Sequence, residues 1–176
     1  GYKFDILTKF GSQIKIEVGI TYKGITKVQE KDSSVNFINK VLVDSLQQFD
    51  LIQMYYGKRL DMQNIIYRVF KREFRKLNLN VESAILRDIN FPKEAKILIN
   101  RFSDLEMNYY NVLLIIDNRT KEIEEILQTH QDLSEIEVSE LKRELYVLEH
   151  HEYVRKIYDE QILDLLKQGL SNPNGQ

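Results

Sequence analysis

The 176-residue chain holds three histidines, His130, His150 and His151, and no cysteine. Imidazole is the side chain that titrates near neutrality, so these three mark where acid–base or nucleophile-activating chemistry would have to sit. All three fall in a stretch patterned as helix, where no cleft is implied. His130 lies on an apolar helical seam, the place for a polar residue that sets register. His150 and His151 are adjacent, and neighbours on a helix point about 100° apart, which makes them a poor metal pair. The absence of cysteine removes disulfides, thiolate zinc sites and thiol nucleophiles together. Carboxylates cluster at Glu122, Glu124 and Glu125 and again at Glu135, Glu137 and Glu140, in runs that read as a solvated helix face rather than as an acid–base dyad. The seven glycines are scattered, with neither GxGxxG nor a phosphate-loop lysine. The expectation is therefore a non-enzyme with no metal and no cofactor.

A basic cluster carries more information. Lys58, Arg59, Arg68, Lys71, Arg72, Arg75 and Lys76 stand on or beside one predicted helix, against Asp61 and Glu73. Arg68, Arg72 and Lys76 share a face at four-residue spacing. Arg68, Lys71, Arg72, Arg75 and Lys76 are the candidate set for anionic lipid headgroups, each contributing up to about 1 kcal/mol. No stacking array of aromatics or recognition motif accompanies the charge, so nucleic acid is not expected as a partner. The ten tyrosines and eight phenylalanines fall mostly at apolar-periodic positions, as core residues do. Formal net charge is −2, but residues 1–92 hold 15 Lys and Arg against 10 Asp and Glu, and the remainder holds 10 against 17. Two parts in different surroundings follow from that asymmetry.

The elements that position these residues show in the periodicity. Ile14, Ile16, Val18, Ile20 and Tyr22 alternate with polar residues, the signature of a half-buried strand. Phe4, Ile6 and Thr8 supply a partner across a Phe10-Gly11-Ser12 turn, giving a β-hairpin. Asp32-Ser33-Ser34 offers capping side chains to a helix over about 34–54. Gly57 interrupts it, and Asp61 caps a second helix with Ile65, Ile66, Val69, Phe70 and Phe74 on its apolar side. Residues 78–91 read as a strand ended by Pro92, which disfavours helix before it and permits one after it.

From about Lys93 the period becomes seven. Leu98, Phe102, Leu105, Tyr109, Val112, Ile116, Arg119, Ile123, Ile126, His130 and Leu133 follow 4,3 spacing, and nine of these eleven are apolar, so the stretch reads as a helix built to pack on another helix. It spans roughly 50 Å at about 1.5 Å per residue. The stripe then shifts to Val138, Leu141, Leu145 and Leu148, with Ser134 and Glu137 forming a potential capping box where the helix breaks. A last amphipathic piece carries Val154, Ile157, Tyr158, Ile162, Leu165 and Leu166. The seam partner is either another subunit or the chain's own second helix folded back near residues 132–134; the intermolecular coil is the preferred expectation, with Leu98, Phe102, Leu105, Tyr109, Val112, Ile116, Ile123, Ile126 and Leu133 as the oligomer interface.

Two stretches bear a family likeness. Phe4-Asp5-Ile6-Leu7-Thr8-Lys9-Phe10-Gly11 followed by the Ile14–Tyr22 strand, and Arg59 through Phe70 leading to Leu79-Asn80-Val81-Glu82 and Leu86-Arg87-Asp88-Ile89-Asn90-Phe91-Pro92, resemble the SPFH domain of stomatins, prohibitins and flotillins, most nearly a bacterial-type prohibitin-like protein. The resemblance covers about residues 4–100. It implies a non-enzymatic, membrane-associated oligomeric scaffold that organises membrane proteins or restrains a membrane protease. Its implied partners are copies of itself, the membrane surface and such client proteins, and it implies an N-terminal anchor preceding this fragment. The alternative expectation is a ligand- or peptide-binding sensor or adaptor module whose coiled coil passes a signal on. The fold class expected is α+β: residues 1–92 a small antiparallel or mixed sheet with helices, 93–170 a helical coiled-coil tail, and 171–176 a disordered end. The sequence holds no run of about 18 apolar residues, the length a helix needs to cross a bilayer.

Overall fold

The computed structural model describes residues 1–171, with side chains to residue 168. Three strands and six helices follow in the order β1 (Tyr2–Leu7), β2 (Gln13–Lys23), α1 (Val28–Leu46), α2 (Leu51–Tyr56), α3 (Arg59–Arg75), β3 (Asn80–Asn90), α4 (Lys93–Thr129), α5 (Glu135–Glu149) and α6 (Glu152–Ser171). The class is α+β, as the sequence pattern indicates. The expected disordered end lies, from residue 172 onward, outside the described residues.

The chain forms two compact units. The first contains Gly1–Asn100 and the chain from Leu165; the second runs from Arg101 to Asp164. The division falls within α4, later than the Pro92 boundary that composition suggested.

In the first unit β2 is the central strand of an antiparallel sheet ordered β1-β2-β3. Tyr2 pairs with Val18 and Leu7 with Gln13, around a turn in which Gly11 takes φ 83°, a conformation that favours glycine. Strand alternation puts Phe4, Ile6, Ile14, Ile16, Val18, Val81, Ala84 and Leu86 in the core, while Lys3, Asp5, Lys15 and Glu82 are exposed. Gly19 is buried beneath the Arg87 side chain, whose Nε a Cβ at this position would approach to 2.3 Å.

Helices cover the apolar face. α3 contributes Met62, Ile66, Val69, Phe70 and Phe74, and α1 contributes Ile38, Leu42 and Leu46. Phe70 sits among the rings of Tyr2, Phe4 and Phe74 at centroid distances of 6.0, 5.9 and 5.5 Å. β3 lies at a sheet edge, and α3 occupies that edge: the Gln63 side chain donates to the Ala84 carbonyl and accepts from the Leu86 N–H, and Arg59 donates to the Leu86 and Arg87 carbonyls.

Three sequence expectations need correction. The helix expected over 34–54 is two helices, because Asp50 and Gln53 form a capping box that starts a new one. α1 begins at Val28, with Lys27 in the cap position and no side-chain cap, so Asp32, Ser33 and Ser34 lie inside the helix. Asp61 likewise lies in the first turn of α3 rather than capping it.

The second unit is a helical hairpin. α4 runs out, the chain turns through residues 130–134, and α5 and α6 return, with Ser134 and Glu137 forming the capping box at the restart. Arg119 on α4 meets Glu144 on α5 at 2.7 Å, and the Tyr109 and Tyr158 rings stack at 4.5 Å. Arg155 on α6 lies over the Tyr109 ring at 5.7 Å.

Candidate functional site

α3 places the basic cluster through its own amphipathicity. Met62, Ile66, Val69, Phe70, Glu73 and Phe74 are buried, so Arg68, Lys71, Arg72 and Arg75 project to the exposed side. Two roles separate within the predicted set. Arg72 and Lys76 turn onto Glu73, each at 2.7 Å, and Lys76 also lies over the Phe37 ring of α1 at 5.6 Å. Among the described residues Arg68, Lys71 and Arg75 have no acidic partner, and Lys71 stands over the Tyr67 ring at 5.3 Å. The cations still available to an external anion are therefore Arg68, Lys71 and Arg75.

Glu73 is 3% exposed, the one buried carboxylate among the described residues. Burial pushes its carboxyl up, but the Lys76 and Arg72 hydrogen bonds and charges outweigh this and hold it below the ordinary value of 4.5. A carboxyl depressed in the folded state stabilises the fold above its unfolded value, and that contribution is lost as pH falls through the folded value. Glu73→Gln is thus expected to lower the melting temperature at pH 7 and to flatten its decline below pH 4.5. Thermal melts across pH 2.5–7, roughly the span in which carboxylates titrate, check this. Parallel curves for both proteins would show that Glu73 does not carry the effect.

Glu73 and Lys76 also line an open cleft of about 550 Å³ between the start of α1 and the end of α3, with Ser33, Ser34, Phe37 and Leu77. Its two charged groups from α3, Glu73 and Lys76, are already paired to one another.

The histidines are structural in their contacts. His150 and His151 lie at the α5–α6 junction, and each approaches a main-chain carbonyl through Nδ1 at 2.8 Å, from Tyr146 and Leu148 respectively. A carbonyl only accepts, so Nδ1 carries the proton in both. His130 stands in the turn after α4, exposed, rather than on a helical seam. Among the described residues no three His, Asp or Glu side chains are grouped to hold a metal ion.

The seam residues are divided by the hairpin. Ile123 is fully buried within the second unit, Tyr109 stacks on Tyr158, and Arg119 is held by Glu144 and Glu122. Hydrogen bonds from that arginine hold the Glu144 carboxyl below its usual range. At Tyr109 and Arg119 the neighbouring helix belongs to the same chain, the fold-back arrangement that the sequence offered as the alternative to the intermolecular coil. Leu98, Phe102, Leu105, Ile116, Ile126 and Leu133 are half-buried, and Val112 is exposed.

Periodicity did not single out the opposite side of α4. Met107, Tyr110, Leu114 and Ile115 are 57–67% exposed. From Leu105 to Ile116 the only charged residue is Glu106, and that near-unbroken apolar run was the available signal. A scan against protein-family models and a search of curated proteins give no match to this chain. No helix among the described residues is long and apolar enough to cross a membrane.

Proposed function

We propose that the protein is a non-enzymatic, self-associating scaffold held at an anionic membrane surface, organising membrane proteins or restraining a membrane protease, as its resemblance to SPFH domains implies. The supporting observation is the middle of α4, which carries apolar side chains on two sides. Its inner side, through Tyr109 and Ile123, is occupied by the hairpin. The outer side, Met107, Tyr110 and Leu114, is in water. A helix that is apolar all round is stable when covered all round, and an exposed apolar stripe of this kind marks an association surface.

A second copy is the occupant we assign. Antiparallel contact of two outer faces about Tyr110 and Asn111 sets Met107 of each copy against Leu114 of the other, so one stripe complements itself under a two-fold axis. The basic face of α3 supplies the membrane contact.

Sedimentation velocity over a concentration series tests the assembly. The wild-type mass should rise with concentration. Met107→Asp with Leu114→Asp should sediment as a monomer with an unchanged circular dichroism spectrum, because both side chains are solvent-exposed within the subunit. A wild type that stays monomeric at its highest soluble concentration would remove the self-association reading.

A further inference from the structure

Ile25 is 98% exposed, the highest value among the large apolar side chains, and Val28 three residues on is 66% exposed. Ile25 belongs to the connection between β2 and α1, Gly24-Ile25-Thr26-Lys27, and Val28 is the first residue of α1. This tip is held in place. Gly24 takes φ 123°, and a Cβ there would come within 2.9 Å of the Asn78 carbonyl oxygen and 3.0 Å of Leu79 Cδ2. The tip is therefore seated against the α3–β3 turn, just beyond Arg75 and Lys76. Its two stems are tied as well: Lys23 pairs with Glu82 at 2.7 Å, and Thr26 Oγ1 donates to Glu30 at 3.3 Å.

One end of the first unit thus combines a fixed apolar tip with the cations Lys27 and Arg75, unpaired among the described residues. We propose that this end docks on an anionic bilayer, with Ile25 and Val28 entering the interface and Lys27 and Arg75 engaging headgroups. This inference deepens the membrane-surface reading above and rests on it. Charge selects the occupant. The acids at this end are Glu30, Asp32, Glu73 and Glu82, four against the six cations Lys23, Lys27, Lys31, Arg72, Arg75 and Lys76, so the end is net positive by two; Glu73 and Glu82 are paired with Arg72, Lys76 and Lys23, while Lys27 and Arg75 have no ion-pair partner among the described residues. Exposed apolar side chains flanked by lysine and arginine fit the headgroup boundary, where the apolar part is buried a few ångströms and the basic part meets phosphate. The loop gives this domain a defined lipid-facing end, distinct from the outward side of α3.

The sequence has no tryptophan, so a single introduced indole reports its own surroundings. Ile25→Trp is compared with Leu60→Trp, which lies in the first turn of α3 and is 71% exposed in the wild type. Each is titrated with phosphatidylcholine vesicles, with or without phosphatidylserine. Ile25→Trp emission should move to the blue on phosphatidylserine vesicles and be quenched by brominated acyl chains, and Leu60→Trp should do neither. Ile25→Asp should weaken vesicle partition about tenfold or more, the loss that follows from removing one buried isoleucine. Its melting temperature should stay unchanged, because the side chain touches almost nothing. High salt should weaken binding of the wild type.

The outcomes separate the two readings. Suppose Arg68→Glu with Lys71→Glu and Arg75→Glu abolishes vesicle binding, while the Ile25→Trp emission does not move and Ile25→Asp binds like wild type. Insertion of the tip is then overturned and the membrane reading stands on α3 alone. Failure of the wild type to bind phosphatidylserine vesicles overturns both. Equal affinity for a duplex DNA oligonucleotide, with no emission shift on vesicles, also overturns both.

Discussion

Ile123→Asp is expected to unfold the helical hairpin while leaving the sheet domain intact. Ile123 is 0% exposed inside the second unit, and the cation one turn before it on the same face, Arg119, is already held by Glu144 and Glu122. An unpaired buried charge costs about 3–5 kcal/mol. The hairpin has little reserve against such a loss, since Ile123 is the one buried apolar side chain described between Arg101 and Asp164, and exposed ion pairs such as Lys121–Asp117 contribute little. Amide hydrogen exchange read by peptide is the decisive measurement. Protection should collapse across residues 101–164 and persist in β1, β2 and β3. Uniform loss across the chain would mean that the two units melt as one. Retained protection in the hairpin would mean that Ile123 is not the anchor its burial indicates.

Phe70→Ala should have the opposite distribution. Phe70 is 0% exposed and is packed among Tyr2, Phe4 and Phe74, so truncation removes the apolar transfer energy and leaves a cavity that the rings cannot close. The expected cost is about 3–5 kcal/mol, against a total stability of roughly 5–15 kcal/mol for a typical domain. A melting temperature lower by at least about 12 °C follows for a unit of this size. Phe70→Leu, which refills most of the space, should recover much of the loss. Differential scanning calorimetry of both variants checks the ranking, and equal melting points would show that volume is not the determinant.

Much of this architecture was legible in the residues. The hairpin follows from alternation between Gln13 and Lys23, and its turn from Gly11, because a period of two has one structural solution when one face is buried. The break before α5 was legible in Ser134 and Glu137. What escaped has physical causes. Asp32-Ser33-Ser34 has the composition of a cap, but a cap signals a helix start only where backbone N–H groups lack acceptors, and α1 had already begun in Gln29, Glu30 and Lys31. The Asp50–Gln53 box carried the same kind of signal and was overlooked beneath a continuous apolar pattern. The seam of α4 shows a further limit: an apolar stripe demands an apolar partner but does not say whose. Glu73 reads in the sequence as one of two acids, with Asp61, in a basic helix. Its flanking by Arg72 and Lys76 was visible, but its burial depended on which side of α3 met the sheet.

The treatment of the β3 edge sets a limit on assembly. An uncovered strand edge offers a row of backbone donors and acceptors to any other strand. Here Gln63 lends its amide to β3 as a short substitute strand would, and Arg59 takes the next carbonyls. The middle of the β3 edge, Ala84 to Arg87, is thereby closed to another strand, which leaves β1 as the side from which the sheet can grow along its length. A unit with one sticky edge has a valence of one: it can join a second copy and then has nothing left to offer. Edge-to-edge pairing ends in dimers and cannot propagate into a filament, so any larger array must be knitted by the helices.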